Sequence, residues 1–479
     1  MQPPHDPQPA QPQYGTQLRL LIALVVWGES YVREFLDYSL PSLLAEGNLP
    51  DIEHLSGSRF LVMTTAADHS RLTAHPLFRV LEQILPTEFV DISSFQAGDK
   101  YRLASRCHVE ALRRSEDFDA VMLLYPDMIW SRGGITFAAE RIARGALGFF
   151  SPAPTVLPGP TLNALLVEPG TVSDTPNGRI FSIHPRRLAS IVLRHHHPMW
   201  ASYDWDGDCF TDFTSCLRWN IPGQGWLIRC FHLHPVALRV QRDNPAFFTD
   251  FTTSLDGEYV TRLFSSTDRL DFARDTEHFA LVTLRDASSP PLPRPGCRAD
   301  VADVARWAEA NALLLHRAFA KISFRWHDAQ IDEATWQLAE RRAELIVAQV
   351  RDRLHTPDSI IRVEDPTAYR ARKRRRVAQR RLRSRVMLPP SYDKHSRVKL
   401  MGLLARNVAY DTAWWLAEVA RCSPLTVYLR QNATMLQMWK RVKPAIVPHN
   451  RIDRAVSAGS LLRHIIRRRE TQNWPDPRN

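Results

Sequence analysis

Leu18-Arg19-Leu20-Leu21-Ile22-Ala23-Leu24-Val25-Val26-Trp27 is a nearly unbroken apolar run of strand length, followed at once by Gly28 and a helix-length amphipathic stretch over residues 31–44. Runs of the same kind return at residues 59–64, 89–92 and 120–125. Helical patterns occupy 76–84 and 101–114 between them, and 135–144 follows the last. A strand apolar at every position must be covered on both faces, and strands alternating with helices imply βαβ units. The fold class is therefore α/β, a Rossmann-like and mostly parallel sheet with helices on both faces. Ligands of such sheets bind outside the carboxyl ends of the strands.

A chain of 479 residues exceeds the size at which single cores stop growing. Residues 1–15, rich in Pro and Gln, read as a disordered tail, and 16–288 as the nucleotide-binding α/β domain. Residues 289–299 form a Pro-rich linker, and 300–479 a mainly α-helical region with long periodicity over 300–354 and further helices at 398–421 and 425–440. Pro and Gly interrupt 153–178, a helix is expected over 185–194, and residues 226–240 read as one later strand. The 1–15 segment lacks a basic n-region and the 18–27 run is too short to span a bilayer, so a cytoplasmic protein is expected. Cys107, Cys209, Cys216, Cys230, Cys297 and Cys422 include no C-x-x-C pair, which removes the usual zinc and dithiol patterns and offers no disulfide framework.

Polar residues at the predicted strand ends carry the candidate chemistry. Tyr125-Pro126-Asp127 closes the fourth strand, where Asp127 either ligates a hard divalent cation bridging two phosphates or caps a turn. Gly28 lets a ligand approach the first strand, and Glu29 is placed to hydrogen-bond a base or ribose. Arg132, before Gly133-Gly134 and a helix start, and Arg229 are candidate phosphate contacts. His232 and His234 stand two apart in the 226–240 strand, so they share a face and converge on one metal or phosphate, unless they form a polar strand face. Asp256 and Glu258 are candidate bases. The loop Asp204-Trp205-Asp206-Gly207-Asp208 spaces three carboxylates as a calcium loop does, but Ser215 stands where such a loop needs Glu. His195, His196 and His197 follow a helix end, where cations suit the dipole. The absence of G-x-S-x-G, a P-loop and G-x-G-x-x-G argues against a serine hydrolase, a Walker NTPase and a dinucleotide dehydrogenase.

Trp27-Gly28-Glu29-Ser30-Tyr31, the stretch Ser39-Leu40-Pro41-Ser42-Leu43-Leu44-Ala45-Glu46-Gly47-Asn48-Leu49-Pro50, Tyr125-Pro126-Asp127 and Phe231-His232-Leu233-His234-Pro235 together resemble a group of bacterial proteins associated with GT-A-type glycosyltransferases, through roughly residues 18–285. The resemblance implies a nucleotide-diphosphosugar donor over a Rossmann-like sheet, with a divalent metal, Mn or Mg, or basic side chains neutralising the leaving diphosphate. On that reading Asp127 with His232 or His234 holds metal and diphosphate, Arg132 and Arg229 assist, and Asp256 or Glu258 is the base. The aspartate-x-aspartate pattern usual in these enzymes is reduced to Asp127, since Ile129 stands two residues on, and 279–286 carries one acidic residue, Asp286, where an acidic cluster is expected.

The net charge of +11 is concentrated between Arg370 and Arg385, where ten of sixteen residues are Lys or Arg; without them the balance is +1. Almost no aromatic residue is interleaved, so this run suits phosphates and not base stacking. Two expectations follow. A glycosyltransferase building a cell-envelope glycan would dock this run on an anionic membrane surface. A non-catalytic protein with a nucleotide-binding fold would use it to bind nucleic acid or another polyanion.

Overall fold

The computed structural model describes residues 18–51, 57–95, 99–251, 254–287, 289 and 293–355. The expected tail, the helices at 398–421 and 425–440 and the basic run from Arg370 to Arg385 lie outside the described residues. The chain divides into two units, Met1–Arg374 and Arg375–Asn479, and every described residue belongs to the first.

A seven-stranded sheet organises this unit. Its strands are β1 (Leu20–Val25), β2 (Arg59–Thr64), β3 (Thr87–Asp91), β4 (Ala120–Leu124), β5 (Gly148–Ser151), β6 (His234–Arg239) and β7 (Leu270–Phe272), in the order β7-β5-β6-β4-β1-β2-β3. β1 to β4 are mutually parallel, β6 runs against both neighbours, and β7 is parallel to β5. The sequence periodicity translates directly into layers. Leu21, Ala23 and Val25 enter one core with Leu61, Met63, Val121 and Leu123, while Leu20, Ile22 and Leu24 enter the other with Phe60, Val62 and Met122. With both faces covered, no position of β1 has a use for a polar side chain.

After β1 the chain forms an α-helix at Glu29–Glu34, a π turn at Phe35–Ser39 and a second α segment at Leu40–Leu43. The Leu40 N–H reaches back five residues to the Phe35 carbonyl. Pro41 explains the irregularity, because it brings no N–H to its own turn and its ring crowds the carbonyl four residues earlier. The helices Pro76–Ile84, Lys100–Arg114, Gly134–Ala143 and Pro185–His195 fall where the periodicity places them.

The apolar run 226–240 is not one strand. Gly225–Cys230 pairs with Cys216–Ile221 and Phe324–His327 in a separate antiparallel sheet, and the chain crosses to the main sheet before His234. Trp219, Leu227 and Phe231 join Trp307 and Trp336, from the helices Val301–Asn311 and Glu333–Asp352, in a third core. The expected linker is also pinned: the Phe210 N–H donates to the Cys297 carbonyl at 2.7 Å, and the Arg294 N–H to the Cys209 carbonyl at 3.1 Å. A third small sheet joins Met128–Trp130, Leu281–Leu284 and Thr155–Val156.

Candidate functional site

The chain moves outward from β1 to β2 and β3, then returns across β1 to β4 on its other side. The carboxyl ends of β1 and β4 therefore flank a topological switch point, where open α/β sheets leave a crevice. Gly28 ends β1 there with φ 83°, open space around it, and its N–H donated to Asp68 at 2.8 Å. That conformation favours glycine and ties the end of β1 to the helix after β2.

The far side of the crevice is fixed by Asn48. Its Nδ2 donates to the carbonyls of Ser42 (2.8 Å) and Ser131 (3.1 Å), and its Oδ1 accepts the Ile135 N–H (2.9 Å) at the start of Gly134–Ala143. Gly47 sits beside it with φ 74°, and a Cβ there would lie 2.8 Å from Gly133 Cα. The first helix and the loop carrying Arg132 are thereby held together, and Arg132 projects into solvent before that helix.

Tyr125 and Asp127 leave the end of β4 into this crevice, partly open to solvent. Burial pushes Asp127 up to about 6, and Arg285 draws it back. Glu34, on the first helix, is pushed up to about 7, first by burial and then by the charges of Asp127 and Asp286. The charges of Asp127 and Asp286 thus both bear on Glu34, with Arg285 beside Asp127. In the folded state Glu34 keeps a proton that the unfolded chain releases above its ordinary 4.5, so stability is lost as pH rises from there to about 7. Glu34→Gln is expected to match the wild type near pH 4.5 and to exceed its melting temperature progressively up to pH 7.5. A difference that stays flat across that series contradicts the coupling.

Across Tyr125 stand two imidazoles. The His234 ring lies 4.8 Å from the Tyr125 ring and that of His108 lies 5.4 Å from it. Burial pushes His234 down to about 4, against the pull of Asp256, and His108 down to about 3, aided by His234. Both are neutral at pH 7, and the Nε2 of each has no hydrogen-bond partner. Their contribution has the opposite sign, since stability is lost as pH falls below 6.5. Comparing Glu34→Gln with the wild type at each pH cancels it.

Two further histidines anchor the backbone beside the carboxylates. His197 Nδ1 accepts the Met199 N–H at 3.1 Å, which leaves its Nε2 to donate to the Asp286 carbonyl at 2.8 Å. His316 repeats the arrangement, with Nδ1 accepting the Leu313 N–H at 3.2 Å and Nε2 donating to the Asp256 carbonyl at 2.9 Å.

The structure gathers some of the residues singled out in the sequence and disperses others. Asp127, His234 and Asp256 all bear on Tyr125. Gly28 and Glu29 lie at the neighbouring strand end. His232 does not share a face with His234, because the chain changes sheets between them. Its ring meets His316 at 4.2 Å and Trp307 at 5.7 Å. Glu258 is 2% exposed and ion-paired with Arg262, so it is sealed from any substrate and cannot serve as the base. Arg229 belongs to the second sheet, bound to the Lys321 carbonyl and to Glu344, and braces the helix Glu333–Asp352 instead of facing a phosphate. The acidic loop is structural too, with Asp204 paired to Arg218 and Asp206 to Arg342. Glu34, His108, Arg285 and Asp286 escaped the sequence reading. Asp286 alone left a trace there, as the acidic end of the 279–286 segment.

No family model matches the chain, and no curated protein matches it. Among solved structures it is similar to a mannosyltransferase from Pyrobaculum calidifontis in complex with GDP-Man and Mn2+, at 11% identity over 78% of this chain and 88% of that one, with a TM-score of 0.28. It is also similar to WbbM, a bifunctional glycosyltransferase in its apo form, at 10% identity over 55% of this chain and 40% of that one, with a TM-score of 0.25. At such scores the activity has to be argued from the site itself. Among the described residues no three His, Cys, Asp or Glu side chains converge closely enough to hold a metal ion by themselves, and no helix is long and apolar enough to cross a membrane.

Proposed function

We propose that this chain is a glycosyltransferase that takes its sugar from a nucleotide-diphosphosugar bound at the switch point between β1 and β4. The observation that carries the reading is the pair Glu34 and Asp127, both held above their ordinary values first by burial, with the charges of Asp127 and Asp286 bearing on Glu34. A divalent Mn or Mg ion arriving with the donor fits such a place. Magnesium in particular is commonly held by one or two carboxylates plus substrate phosphates, without an all-protein cage. Asp127 is the carboxylate we assign to it, and the ion when bound neutralises charge on the leaving diphosphate. Gly28 and Glu29 meet the nucleoside, and Arg132 reaches the diphosphate from the helix start at Gly134. Asp256, beside neutral His234, is the carboxylate we assign as base toward the acceptor hydroxyl.

The test is release of nucleotide from UDP-, GDP-, CMP- and dTDP-linked sugars with Mn2+ or Mg2+. Turnover of one donor, dependent on the ion, is expected. The absence of both turnover and binding with every one of these donors overturns the reading.

A further inference from the structure

Four of the cysteines that lie scattered in the sequence come together in pairs in the fold. Cys216 and Cys230 are direct partners in the antiparallel ladder of the second sheet. The Phe231 N–H donates to the Ser215 carbonyl at 2.8 Å, which makes residues 215 and 231 the hydrogen-bonded pair and Cys216 with Cys230 the adjacent non-hydrogen-bonded one. Such pairs bring their Cα atoms to about 4.5 Å with side chains closest together, inside the roughly 4.4–6.8 Å that a disulfide spans. The Cys216 side chain bears on the Cys230 thiol. Cys209 and Cys297 are direct partners in a parallel bridge, whose strands lie about 4.8 Å apart. Register partners in a parallel pair project to the same side, so these two thiols also face one way.

We propose that Cys216–Cys230 and Cys209–Cys297 are two disulfide-forming pairs, the first locking the hairpin and the second stapling the Pro-rich segment to the acidic loop. Each bond forms by thiol–disulfide exchange with a low-molecular-weight disulfide. A protein thiolate attacks to give a mixed disulfide and releases one small thiol. The partner thiolate then displaces the second small thiol, so two protein thiols are oxidised and one small disulfide is reduced. Cys216 and Cys230 are buried, whereas Cys209 and Cys297 keep solvent contact, so the second pair reacts first. Burial and the nearby Asp208 and Asp204 raise the Cys209 thiol, so the exchange quickens as pH rises.

The purified full chain is equilibrated with excess oxidised glutathione until its free thiols, counted in denaturant, stop changing. Peptides are then mapped without reduction. The count is expected to fall from six to two, with Cys107 and Cys422 free and cross-links joining residue 216 to 230 and 209 to 297. Cys216→Ser with Cys230→Ser, and Cys209→Ser with Cys297→Ser, each remove one cross-link and leave the other. A count that stays at six, or cross-links between other partners, overturns the proposal. A count of four upholds the pair found in the map and refutes the other.

Discussion

In Asp127→Asn, the thermal shift that a nucleotide-sugar produces with Mn2+ is expected to disappear, while the protein without ligand gains stability over wild type progressively from about pH 3.8 to about pH 6 and keeps that gain above it. The two halves share one cause. Burial lifts the Asp127 carboxyl from 3.8 to about 6, so above that pH the folded state carries an ionised carboxylate it would prefer to neutralise. Asn keeps the shape and removes the charge. The backbone carbonyl of Asp127, which accepts the Leu284 N–H at 2.7 Å, is untouched. A ligand supplied at a hundred times its dissociation constant stabilises the native state by about 2.7 kcal/mol, and losing the carboxylate that anchors the ion removes most of that. Melting curves at pH 7.5, with and without donor and ion, measure both effects. If Asp127 only caps a turn, Asn serves nearly as well, and both the free protein and the ligand shift are unchanged.

Asn48→Ala is expected to destabilise the fold by about 2–3 kcal/mol, because a buried group left without its hydrogen-bond partner costs about 1–3 kcal/mol and the Ile135 N–H is stranded. The carbonyls of Ser42 and Ser131 each lose one of two donors and keep the Ala45 and Gly134 N–H groups. Asn48 is itself buried, so water cannot replace it without opening the junction. Denaturant unfolding measures the loss as a lower midpoint with little change in slope. A loss below about 1 kcal/mol would show that the two loops are held by packing alone.

The parallel half of the sheet was legible in the sequence because β1, β2 and β4 are buried on both faces and so contain almost nothing polar. Residues 226–240 misled for a related reason. Phe231 and Leu233 are both core residues, yet of different cores, and an apolar run does not record where the chain changes sheets. In the site, Asp127 was visible as the acidic residue ending an apolar strand. Glu34 was not, since a glutamate within an amphipathic helix reads as surface until the π turn and the neighbouring carboxylates are known. The error over Arg229 was unavoidable, its partner Glu344 being distant in sequence. That over Glu258 was not, because Arg262 stands four residues on, at the spacing of a helical ion pair.

The place of β6 also dictates how the molecule must be assembled. β1 to β4 are consecutive units that can zip up as soon as residue 124 is available. The slot between β4 and β5 stays open until β6 arrives and joins partners as distant as Ala237 and Met122. Until then β4 presents an unpaired, wholly apolar edge, the surface on which strands of separate molecules add to one another. Closing so long a loop is slow compared with local pairing. The antiparallel strand is thus the keystone of the sheet, and the interval before it is set is when the chain is most exposed to association with its own copies.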